Sequence, residues 1–101
     1  ALGAQAVVNL AFPLHPPGKP ERSRLPELLG SGVATLTLQG ERDPFGGTEE
    51  LLAAIDGAPD QQVIAMPGAT HDLKIPARVM PPAEAQLLLA AGVADFLTSL
   101  E

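Results

Sequence analysis

The chain has 101 residues and a formal net charge of −6, with 12 acids against 6 bases. That balance argues against nucleic acid and against an anionic membrane surface, both of which need a basic face. Hydrophobic residues reach 46%, enough for one packed domain, and the lack of cysteine excludes a disulfide framework, a thiolate nucleophile and a Cys-based zinc site.

A cysteine-free chain fits a reducing, cytoplasmic setting. No run reaches the length of a membrane span, and the first twelve residues, ALGAQAVVNLAF, carry no basic lead-in of a signal peptide. They read as the end of a helix and then a buried strand, VVNLAF, over 7–12. The chain starts at Ala1 within an apolar pattern and reads as beginning inside a longer domain.

Pro13 stops the strand and opens a Pro-rich loop, PLHPPGKP, over 13–20. A short helix is expected over 24–29, with Ser23 as cap, Pro26 in its first turn, and Leu25, Leu28 and Leu29 inward. The second strand, VATLTL, covers 33–38 and gives way at Gly40. A helix over 48–56 then opens at Thr48, a good N-cap residue. Glu49 and Glu50 in its first turn suit the helix dipole. Leu51, Leu52 and Ile55 form its apolar stripe, and Gly57 ends it. The third strand, VIAM, covers 63–66 and stops at Pro67-Gly68. The last helix, 82–100, opens with Pro82, and Leu89, Val93, Phe96, Leu97 and Leu100 make a buried face. Gly92 interrupts that face and suggests close packing.

Strand and helix alternate throughout. The expected class is α/β, a three-stranded parallel sheet with flanking helices and right-handed crossovers. Poor alternation in the first and third strands predicts burial on both faces.

Ligands of open α/β sheets bind outside the carboxyl ends of the strands. His15 and Lys19 follow the first strand, Glu41, Arg42 and Asp43 the second, and Thr70, His71 and Asp72 the third. Asp43 and His71 therefore fall on the loops of neighbouring strands. A carboxylate there fixes the tautomer of the imidazole and leaves its other nitrogen as a general base. Asp72 competes as the partner of His71, but its adjacency in sequence suits it better to capping a turn.

The loop with His15 and Lys19 has two readings. It faces substrate, with Lys19 attracting an acidic group, or its prolines stiffen a crossover and His15 bonds the backbone. Gly18-Lys19 is not a phosphate loop, because Pro20 stands where Ser or Thr is required. The two histidines lack the close spacing of metal ligands, and no cofactor is expected. Pro-x-x-Pro matches at 13–16 and 17–20 are too common by chance to imply a partner.

The pattern strand, LQGERDPFG, helix, strand, PGATHDL, helix resembles the C-terminal part of the α/β-hydrolase fold. FPLHPPGKPE makes it especially similar to a dienelactone-hydrolase-like branch. The resemblance spans essentially the whole chain but only the second half of that fold. It implies that Asp43 is the catalytic acid, following the family's seventh strand, and His71 the catalytic histidine, following its eighth. The family also needs a Gly-x-Ser-x-Gly nucleophile elbow, and none of Ser23, Ser31 and Ser99 has Gly at both −2 and +2. The oxyanion-hole loop is missing as well.

The resemblance thus implies the C-terminal portion of a serine hydrolase, acting on a small ester-like carbonyl substrate and inactive alone. The other expectation is a non-catalytic α/β interaction module that self-associates through an open edge strand at 7–12.

Overall fold

Strand β2, Ala34–Gly40, lies at the centre of the sheet. The computed structural model describes residues 6–30 and 32–100. Ser31 and the helix end expected before residue 6 lie outside them. β2 pairs in parallel with β1, Ala6–Leu10, on one side and with β3, Gln61–Met66, on the other. Val8 stands opposite Leu36 and Ile64 opposite Leu38. Helices α1 (Leu25–Leu29), α2 (Thr48–Ala54) and α3 (Pro82–Ser99) complete the expected α/β order.

Side chains alternate across β2 and build two cores. Leu36 and Leu38 pack with Met66, Ala69 and Phe96 of α3 on one face. On the other, Leu14, Leu28, Leu51 and Ile55 cluster with Phe12 and Val63. Burial of each large side chain here contributes roughly 1.5–3 kcal/mol. The second face of β2 also buries Thr35, Thr37 and Gln39. Their polar atoms need partners at that depth. Thr35 donates to Val33 O, Thr37 Oγ1 accepts from Asn9, and Gln39 bonds three main-chain groups.

Several expectations need correction. β1 ends at Leu10, because Ala11 adopts φ 67° and turns the chain out of the strand. β1 is not buried on both faces: Val7, Val8 and Leu10 are 36–69% exposed. Among the described residues only β2 pairs with it, so it is an edge. Leu29, Leu52, Leu97 and Leu100, expected inward, are 40–52% exposed. Leu52 and Leu97 sit about 100° round their helices from the buried Leu51 and Phe96, at the margin of each stripe. Leu100 is past the last turn of α3, at its C-cap.

Thr48 does not cap α2. Gly47 is the N-cap, and the Thr48 hydroxyl donates to Gln39 O at 2.7 Å. Arg24, rather than Ser23, holds the cap position of α1, although Ser23 Oγ still accepts the Leu25 N–H. Gly92 packs against β3, where a Cβ would overlap Ile64 Cδ1. No helix among the described residues is long and apolar enough to cross a membrane.

Candidate functional site

The loops leaving β2 and β3 run in contact. A Cβ on Gly40 would overlap the carbonyls of Ala69 and Thr70, so only glycine allows this approach. Hydrogen bonds lace the loops together. Arg42 N–H donates to Ala69 O at 2.9 Å, and Gly68 N–H donates to Glu41 Oε1 at 2.8 Å. Whatever projects from residues 41–43 therefore meets residues 68–71.

Asp43 opens a turn closed by a bond from Gly46 N–H to its carbonyl at 3.1 Å. Its carboxylate is fully buried and both oxygens are engaged. Oδ1 accepts the Phe45 N–H at 2.8 Å, and Oδ2 faces His71 Nδ1 at 2.8 Å. A carboxylate only accepts, so Nδ1 carries the proton and Nε2 keeps its lone pair. The His71 side chain is 42% exposed, and among the described residues no hydrogen-bond partner meets Nε2. The Phe45 ring lies against the imidazole, with centroids 4.7 Å apart and planes tilted by 42°. The arrangement is an oriented imidazole with one basic nitrogen free, which can accept a proton from a hydroxyl brought to it.

Asp72 points elsewhere. Its Oδ1 accepts the Lys74 N–H at 2.9 Å and the Thr70 hydroxyl at 3.2 Å. The Lys74 N–H, then the Thr70 hydroxyl and the Lys74 charge, hold its pKa below the usual carboxylate value. Leu73 next to it takes φ 64°, a left-handed conformation in which a leucine is strained. The strain lies two residues from His71.

His15 is only 6% exposed. Its Nδ1 faces Pro16 O at 2.8 Å, and its Nε2 faces Glu50 Oε2 at 2.5 Å. Both partners are acceptors, so only the protonated ring satisfies both contacts at once. The Pro16 carbonyl first, then Glu50 and Glu21, raise its pKa above 6.5 against the opposing effect of burial. With both nitrogens engaged inside the chain, the placement favours the backbone-bonded reading over the substrate-facing one. Lys19 is exposed in the turn that follows, where its N–H donates to Pro16 O.

Three contributors escaped the sequence reading. Gln39 closes the β2 exit, Phe45 lies against His71, and Glu50 pairs with His15. Gln39 alone left a signal, as an amide in a strand that is otherwise apolar or β-branched. Among the described residues no group of His, Cys, Asp and Glu could hold a metal ion.

One family model, that of an alpha/beta hydrolase domain, matches residues 1–97. No curated protein and no solved structure matches the chain.

Proposed function

Because this chain belongs to the alpha/beta hydrolase domain family, we propose that Asp43 and His71 are the acid and general base of a serine hydrolase. The observation that carries this reading is the 2.8 Å bond between buried Asp43 Oδ2 and His71 Nδ1, with Nε2 left free. In the reaction, Nε2 takes the proton of a serine hydroxyl as its oxygen attacks an ester carbonyl. Asp43 holds the ring in the reactive tautomer and stabilises the imidazolium. The proton then passes to the leaving alkoxide, and water repeats the sequence on the acyl-enzyme.

The serine comes from outside residues 1–101 in this reading. Ser23 Oγ accepts the Leu25 N–H at the start of α1, and Ser99 Oγ donates to Phe96 O at the end of α3. Neither is on the loops that carry the relay. Ser31 has Gly at −1 and +1 but not at the −2 and +2 positions of an elbow. The 101 residues are then the acid and histidine portion of the catalytic domain, inactive alone. The stretch LHPPGK supports the dienelactone-hydrolase-like branch, and in this reading the exposed Lys19 at its end would attract an acidic group of a substrate. The absence of cysteine supports a cytoplasmic setting.

Labelling of the 101-residue chain with a fluorophosphonate tests the assignment of the nucleophile. No labelling is expected. Stoichiometric labelling of Ser23, Ser31 or Ser99 would overturn it.

The open edge of β1 favours a second reading, a non-catalytic module that self-associates. Val7, Val8 and Leu10 present apolar side chains on a strand that pairs on one side only among the described residues.

A further inference from the structure

The loop after β1 and the turn after β2 are tied together at every step. The Gln39 amide bonds the main chain of Phe12 on one side and Gly46 O on the other. Leu14 is buried against Gly46, where a Cβ would come within 2.9 Å of Leu14 Cβ. His15 N–H donates to Phe45 O at 3.0 Å. Phe45 is thereby gripped from both ends, by His15 at its carbonyl and by Asp43 at its N–H, while its ring lies on His71.

The His15 ring, through Glu50, adds a polar anchor of this loop to α2 beside the packing of Leu14 in one cluster with Leu51. We infer that His15 is a positioning residue for His71: clamped between Pro16 O and Glu50, it pins Phe45 and thereby the hydrogen bond from His71 to Asp43. The inference rests on the relay proposed above and gives the His-Pro-Pro stretch a task in it. The charged groups facing His15 are Glu50 on α2 and Glu21 in the loop before α1, and both favour the protonated ring. A neutral His15 has one N–H for two acceptors, so one of its two anchors must open. Phe45 is then held only by its other contacts.

The chain has two histidines, so their ring nitrogens are separable by nitrogen-15 NMR. The test follows both rings of the labelled 101-residue chain from about pH 5 to pH 9. His71 is expected to keep its proton on Nδ1 once neutral, and its ring shifts are expected to bend a second time where His15 loses its proton. Glu50→Gln should move that second bend to lower pH. His15→Ala should cut the ratio of the two His71 tautomers by about three- to tenfold. The wild-type titration needs no variant to fold. Asp43→Asn separates the two ideas. If it scrambles the tautomer while His71 ignores His15 and Glu50, this inference fails and the relay stands. If it leaves the tautomer unchanged, the relay fails and this inference falls with it.

Discussion

Gln39 meets Phe12 as a neighbouring strand would. Its Oε1 accepts the Phe12 N–H and its Nε2 donates to Phe12 O, both at 2.9 Å. The same amide donates to Gly46 O at 2.6 Å. Ala11 N–H makes the last main-chain bond to β2, to Leu38 O at 2.9 Å, and its φ of 67° then turns the chain away, so at Phe12 a side chain replaces the strand pairing. The second face of the sheet remains satisfied up to the turn that bears Asp43.

Gln39→Leu keeps the volume and removes all three bonds. The part-buried main-chain groups of Phe12 and the buried carbonyl of Gly46 lose their partners, at a cost of roughly 2–5 kcal/mol. A urea midpoint that falls with an unchanged slope is the expected result. A midpoint at the wild-type value would show that water replaces the amide without penalty.

Gly40→Ala tests the contact between the two loops that carry Asp43 and His71. The added Cβ meets main-chain carbonyls that cannot swing away, so the loop of residues 69–71 must shift. A loss of about 1–3 kcal/mol is expected, with a displaced His71 ring signal. An unmoved His71 signal would mean that the approach does not set its position.

The charge on His15 makes stability depend on pH. Its folded pKa lies above the unfolded value of 6.5. The contribution is therefore complete below 6.5 and disappears as pH rises through the folded value. Urea midpoints should fall across that interval, and in His15→Gln the part of the fall due to this residue should vanish. A fall of equal size in both chains would assign it to other groups.

The edge of β1 predicts association. Light scattering of the chain at high concentration should give species larger than a monomer, and Val8→Lys should shift them toward monomer. A wild-type chain that stays monomeric would remove the support for the interaction-module reading.

The strand order and the pairing of Asp43 with His71 were legible because each depends on local signals. Apolar runs stop at Pro or Gly, and chemistry-bearing residues follow each run. Burial was less legible. VVNLAF reads as a core strand, yet among the described residues β1 has one neighbour, and a count of apolar residues carries no information on neighbours. Leu97 and Leu52 fit a helical stripe but sit at its margin, where exposure depends on how far the opposing sheet extends. Thr48 reads as a cap because Ser and Thr cap helices often. Tertiary packing instead supplied Gln39 O as its acceptor. The bond between His15 and Glu50 joins residues 35 apart, and no spacing rule reaches across that gap.

In the proposed relay Asp43 acts through His71. This coupling is tested most directly by a double-mutant cycle on kcat/KM for p-nitrophenyl acetate. The polypeptide must hold residues 1–101 together with the serine nucleophile. Asp43→Asn and His71→Ala should each lower kcat/KM by about a thousandfold or more. The double variant should be no worse than His71→Ala alone. Losses that multiply in the double variant would contradict the relay.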